Sequence, residues 1–286
     1  MSVYRMLCIG SVIGSRREHK WGQNRKPKKT RPVHLVFLGC LSKRLMRHEH
    51  RGKLVCKLGC DGPGDVAQHD NGNPLLRQAQ KGIILDHSNH TLITDVEVYE
   101  TGMEAVHFRD GSSYNTIGNS RIHDTGKTGP GYGEGVYVGS AEGAGYNQNT
   151  HYNTIRNVVF GPNVAAEHVD LKERTIGTVV ENCTFYGEGI SGANYADSFI
   201  DVKGNNAVIR NNIGYLNGNG NIADAFQVHQ VVSGWGLNNE FSHNTLLYLT
   251  DPSVYVIGAY GSATATAIQN ARTPAGNMYK GHVTVQ

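Results

Sequence analysis

Three observations predict that this chain is an all-β protein, a single-stranded right-handed parallel β-helix. Short runs of alternating apolar and polar residues recur at offsets of 26 to 33 residues. The 286 residues include 36 Gly and many Asn, with no long Ala/Glu/Leu/Lys-rich run, which favours short strands and tight turns over helices. Each run is too short to bury a face alone, so a core forms only when successive copies stack. Leucine-rich repeats would need a Leu consensus and a helical segment, and a propeller would need longer blades.

In chain order, residues 1–60 come first as a basic segment. They hold 15 of the 27 Lys+Arg and 2 of the 24 Asp+Glu, which leaves the rest of the chain acidic. The runs "RREHKWGQNRKPKKTRP" and "LSKRLMRHEHRGK" lack strand or helix periodicity, so a poorly ordered solvated arm is expected. Short basic runs are common, and no nucleic-acid partner is expected from these. The stretch "MLCIGSVIGS" is too weak for a clear signal peptide, and no run approaches the ~18 apolar residues of a membrane span, so no membrane partner is expected. Residues 61–81 read as a linker or first irregular coil, 82–262 as the β-helix, and 263–286 as a C-terminal tail.

The five cysteines are Cys8, Cys40, Cys56, Cys60 and Cys183, an odd count that gives no disulfide framework. Cys56 and Cys60 have a loose metal-type spacing without a matching second pair. Cys183 falls among strand-core residues and reads as a small buried hydrophobe.

The repeat begins with "EAVHFR" from Glu104 and continues with "EGVYVG" from Glu134, "EHVDLK" from Glu167, "SFIDVK" from Ser198 and "DAFQVH" from Asp224. "PSVYVI" from Pro252 reads as a sixth copy. The third and fifth residues of each copy are apolar, so one strand face is buried. A second strand aligns Ile93, Ile117, Ile155, Val180, Ile209 and Phe241. Two residues later stand Asp95, Asn119, Asn157, Asn182, Asn211 and His243, which suggest a hydrogen-bonded polar ladder through the stack.

The outward face of the first strand carries the chemistry. Its sixth positions read Arg109, Gly139, Lys172, Lys203 and His229, and its fourth positions His107, Tyr137, Asp170, Asp201 and Gln227. Its first positions read Glu104, Glu134, Glu167, Ser198 (beside Asp197) and Asp224. A strip of cations therefore runs beside a strip of acids. Gly139 leaves a gap in the cationic strip where a sugar could lie against backbone. Charges alternating between coils also make a soluble outer face, so no single residue is diagnostic. Clustered carboxylates suit Ca²⁺, and a lysine beside such an ion can act as a base near neutrality. The reaction that uses both is β-elimination on a uronic-acid polysaccharide. Glu134, Glu167, Asp170, Asp197 and Asp201 are the candidate ligands. Lys172 and Lys203 are candidate bases, assisted by Arg109 and His229. His107, Tyr137 and Gln227 are candidate substrate contacts.

The strand pattern over residues 104–246 resembles the pectin-lyase-like β-helix superfamily. Within it, "EHVDLK" is similar to a motif of polysaccharide lyase family 6, the chondroitinase B and alginate lyase group. That resemblance implies Glu167 as a calcium ligand and Lys172 as base. The family's second acid would stand at Ala165, and Glu134 is a possible substitute. "NYADSFIDVKGNN" and "NIADAFQVH" are similar to segments of pectate lyase family 9, which implies Asp197 as ligand and Lys203 as base. The two resemblances nominate different lysines. They imply a secreted, monomeric, calcium-dependent lyase acting on an acidic polysaccharide. A glycoside hydrolase with Glu134 and Glu167 as its carboxylate pair, and a non-catalytic carbohydrate-binding or structural β-helix, are the alternatives.

Overall fold

The computed structural model describes residues 80–286, together with the backbone of three short strands, Leu35–Val36, Ala67–Asp70 and Asn73–Leu75. The expectations for residues 1–60, including the Cys56/Cys60 spacing, and for most of 61–81 fall outside the described residues. Successive coils stack into a parallel β-helix. The first sheet runs through Ile83–Asp86, Val106–Arg109, Val136–Val138, Val169–Leu171, Ile200–Val202, Asp224–His229, Tyr255–Tyr260 and Tyr279–Lys280. Each strand pairs in parallel with the strand one coil away. Val136, Val169 and Ile200 are therefore direct neighbours, as the repeat predicts.

The second sheet holds Ile93, Ile117, Ile155, Val180, Ile209 and Phe241 in one register, again as predicted. These residues point inward with the apolar positions of the first sheet. They close a core of Ile, Val, Leu and Phe that is almost wholly excluded from water. Phe160, Phe185 and Phe199 stack within it at 5.3 and 5.7 Å. His168 joins that stack, and burial pushes its imidazole down to about 3, so it sits there neutral. Cys183 is buried, and the apolar surroundings push its thiol up to about 12. No helix among the described residues is long and apolar enough to cross a membrane.

Three expectations are corrected. Among the described residues the polar ladder holds at the expected register in one step, where Asn157 donates to Asn119 Oδ1 at 3.1 Å at the exposed surface. Asp95, Asn119, Asn157, Asn182, Asn211 and His243 all have positive φ, between 49° and 58°. They form the corner at which the chain turns within the second sheet. Asn and Asp are enriched in this left-handed conformation, which accounts for the composition at this register. The buried ladder lies one position later. Asn212 donates to Asn244 Oδ1 at 2.9 Å, and Asn244 donates to Asn270 Oδ1 at 2.9 Å. Each also donates to a carbonyl of the preceding coil.

The sixth repeat is three residues out of register. Asp224 pairs with Tyr255 and Phe226 with Ile257, so the copy reads "YVIGAY" from Tyr255 rather than "PSVYVI". Val254, Val256 and Ile257 are all buried, and such a continuous apolar run supports either register by pattern alone. Residues 263–286, expected as a tail, contain strands that continue both sheets. Thr264–Ile268 pairs with Asn239–Ser242 and with His282–Val285, and Tyr279–Lys280 pairs with Tyr255–Tyr260.

The two neighbouring positions make opposite predictions. Asn244→Ala strands several buried partners and should destabilise by at least about 2 kcal/mol. Asn157→Gly keeps the left-handed corner at an exposed site and should stay within about 0.5 kcal/mol. Denaturant unfolding of both variants checks this.

Candidate active site

The stacking turns three sequence positions into three rows on the outer face of the first sheet. At the fourth position His107, Tyr137, Asp170, Asp201, Gln227 and Gly258 follow one another. At the sixth position the row includes Asp86, Arg109, His229 and Tyr260. The acids of the first position lie at the turn that feeds each strand.

The middle of these rows is the most charged part of the described structure. Glu134, Glu167 and Asp170 are buried, and one oxygen of each lies within 4.8 Å of the others. Burial, reinforced by Asp170 and Glu104, pushes the Glu134 carboxyl up to about 8. Burial and the charges of Asp170 and Asp201 raise Glu167 well above the usual carboxylate range. Glu134 Oε2 is buried without a hydrogen-bond partner. Three acids gathered in a low-dielectric site repel one another and hold protons more tightly.

Two lysines answer this charge differently. Lys203 reaches Asp170 at 2.9 Å and Asp201 at 2.5 Å. Burial works against its charge, but Asp170, Asp201 and Glu167 outweigh it and hold the ammonium well above its ordinary pKa. Lys172 reaches only Asp170, at 2.9 Å, and lies 5.0 Å above the Tyr137 ring. Beside it Gly139 has φ +96°, and a Cβ there would come 2.7 Å from Thr175 Cγ2 and 3.1 Å from Lys172 Cβ. Gly139 is itself buried, so the space expected as a gap is filled by the side chains of Thr175 and Lys172. The phenol of Tyr137 is pushed upward by burial and by Asp170 and Glu134, so it keeps its proton.

The remaining candidates are spread along the same outer face. His107 contacts the Gly139 carbonyl at 2.9 Å, and burial lowers its pKa. Its neighbour Glu104 pairs with Lys81 at 2.7 Å. Arg109 is held by Asp86 through two bonds of 2.6 and 2.9 Å, and its guanidinium lies 4.5 Å over Tyr146. Asp201 is buried, yet Lys203 and His229 keep it ionised; His229 Nδ1 lies 2.8 Å from it. Asp201 and Asp197 thus stand outside the carboxylate trio, although both were candidate ligands. Asp197 has one buried oxygen without a partner. Gln227 is buried one coil above Asp201.

Several groups on this face escaped the sequence reading, Lys280 of the last first-sheet strand among them. Asp86 and Tyr260 would have emerged from extending the register by one coil at each end. Lys81 and Tyr146 lie outside the repeat, and no periodic signal marks them.

Comparison with solved structures bears directly on this face. A crystal structure of an alginate lyase from Paenibacillus sp. str. FPU-7 is 59% identical, with a TM-score of 0.71 over 72% of this chain and 70% of that one. The chain belongs to the family of that enzyme. It is a pectin-lyase-like parallel β-helix of the polysaccharide lyase group. Two more structures overlap it more loosely. The Agl-KA catalytic domain is 14% identical, with a TM-score of 0.44 over 73% of this chain and 43% of that one. The tailspike protein of E. coli bacteriophage HK620, in complex with a pentasaccharide, is 12% identical, with a TM-score of 0.46 over 72% and 43%. At those scores neither bears on function. No protein-family model matches the chain, and comparison with curated proteins gives no match.

The raised carboxyl of Glu134 links this site to stability. Its folded pKa of about 8 exceeds the ordinary 4.5, so the folded state binds the proton more tightly. That contribution is complete below about pH 4.5 and is lost as pH rises through 8. Metal-free protein should therefore show a melting temperature that falls between pH 5 and pH 8. Glu134→Gln should flatten the fall. Thermal melts in chelator across that range measure it.

Proposed function

We propose that the outer groove of the first sheet cleaves a uronate-containing polysaccharide by β-elimination. Alginate is the first substrate to try, because the 59% identical structure is that of an alginate lyase. The observation that carries the mechanism is the unequal pairing of the two lysines. Lys203 is clamped between two carboxylates and holds its proton, so its part is to keep the acidic row folded. Lys172 has a single carboxylate partner, which orients it and leaves it the freer of the two.

Lys172 is the base that removes the proton from C5 of the uronate. The C5–H electrons form the C4–C5 double bond, and the C4–O bond breaks. The departing oxygen takes a proton from Tyr137, whose phenol stays protonated in this setting. His107 and Gln227 flank this centre along the fourth-position row and contact the neighbouring sugars. Arg109 and His229 sit on either side of it in the sixth-position row, within reach of the glycan.

The carboxylate trio fits a calcium ion. It offers hard oxygen donors, one of them buried without a partner, at mutual distances suited to a large cation. Glu134, Glu167 and Asp170 would hold it. Bound there, calcium would supply the charge that neutralises the substrate carboxylate and the enolate-like intermediate. The substrate is a polymer, and the reading includes action outside the cell.

Two substitutions separate the chemical lysine from the structural one. Lys172→Ala should lower turnover on alginate by at least about 10²-fold and change stability by less than about 1 kcal/mol. Lys203→Ala leaves Asp170 and Asp201 short of charge and should destabilise by about 3 kcal/mol. The ultraviolet absorbance of unsaturated uronide products, with and without calcium, gives the rates. Full activity in Lys172→Ala, or saturated products from the wild type, overturns the mechanism.

A further inference from the structure

We propose that the far end of this groove holds a second uronate-binding subsite, in which the Lys280 ammonium takes a substrate carboxylate. The inference rests on the lyase reading above and extends it to chain-length preference.

Register places this site on the substrate path. Tyr260 stands opposite His229 in the sixth-position row, and Lys280 stands opposite Gly258 in the fourth-position row. Lys280 is thus four coils beyond Asp170 and five beyond Tyr137, on the same face of the same sheet. At a strand spacing of about 4.8 Å, four steps from the Lys172 coil amount to roughly 19 Å. A 1,4-linked pyranose is about as long as one such step, so Lys280 meets a sugar roughly four residues from the scissile bond.

The ammonium is held in place. It lies 4.7 Å from the Tyr260 ring centre and 5.8 Å from that of Tyr255. Tyr260 is itself fixed twice. Its hydroxyl donates to Asp224, and its ring stacks on His229 at 4.7 Å with 13° between planes. His229 is in turn held by Asp201 at 2.8 Å. Gly258 makes this packing possible, because a Cβ there would come 2.6 Å from Asp224 Oδ2 and 2.8 Å from Tyr260 Cε2. A lysine already confined by two rings loses little further freedom when it binds an anion.

Its charge is also uncommitted. Arg109 is paired with Asp86, Lys172 with Asp170, and Lys203 with Asp170 and Asp201. Among the described residues Lys280 forms no salt bridge, and it is exposed. Asp224 is near enough to feel its field, but its carboxylate is turned to the Tyr260 hydroxyl and the Tyr255 amide. Of the cations on this face, Lys280 is the one still available to a ligand carboxylate.

The test is kinetics on uronate oligosaccharides of increasing length. Lys280→Gln should raise KM for long chains about tenfold and leave kcat unchanged. It should leave KM for trisaccharides unchanged, since they are too short to reach from the cleavage centre. Lys280→Arg should restore the wild-type KM. Equal KM effects at every length, no effect at any length, or failure of Arg to rescue would overturn the subsite. If wild-type protein gives no unsaturated product from any uronate polymer, the lyase reading itself fails. Calorimetric affinities of long and short oligosaccharides for wild type and Lys280→Gln then decide the subsite alone, with a loss confined to long chains supporting it and equal affinities contradicting it.

Discussion

The parallel hydrogen-bond ladder between coils is the constraint on which everything else depends. It fixes residues 18 to 38 apart in sequence as nearest neighbours across a strand spacing. Once the apolar third and fifth positions are pinned inside, the fourth and sixth are compelled outward in rows. The acids at the turn have no freedom to separate either. Asp170 must face Tyr137 on one side and Asp201 on the other. A charge placed in one coil therefore always lies beside the equivalent side chain of the next, whatever its sign.

The unusual ionisation of the site follows from that geometry. Asp170 is shared by Lys172 and Lys203, and its charge also bears on Glu134 and Glu167. Adding or removing one charge shifts the whole row. A cation bound among the three acids, or protons held on two of them, are the two ways to relieve the same repulsion. Lys203 can be charged though almost enclosed because it has two carboxylate partners. Lys172 has one carboxylate partner and is the freer of the two for chemistry.

Much of this was legible in the sequence because a solenoid repeats its inward pattern in every coil. The alternation at Val106, Val136, Val169 and Ile200 gave the register, and the register gave the rows of charge. The same alignment nominated five acids, Glu134, Glu167, Asp170, Asp197 and Asp201, of which three cluster. What escaped has physical reasons. The buried Asn212–Asn244–Asn270 ladder lies beside a left-handed corner whose own Asn residues carry a stronger compositional signal. The seventh first-sheet strand lies in an unbroken apolar run, where period-two alternation cannot fix register, and this concealed Tyr260. Pairing is not periodic at all. That Arg109 is committed to Asp86 while Lys280 is not could be seen only in three dimensions.

The central claim is that the glycan lies across the outer face of the first sheet, with its reacting sugar over Lys172 and Tyr137. A crystal structure of the Lys172→Ala variant with a uronate oligosaccharide long enough to span the groove tests it most directly. The account predicts sugars running perpendicular to the strands, with C5 of one sugar facing the vacated Lys172 position and Tyr137 beside the bridging oxygen. An oligosaccharide bound on the second sheet, or crossing the first sheet away from the Lys172 coil, would contradict it.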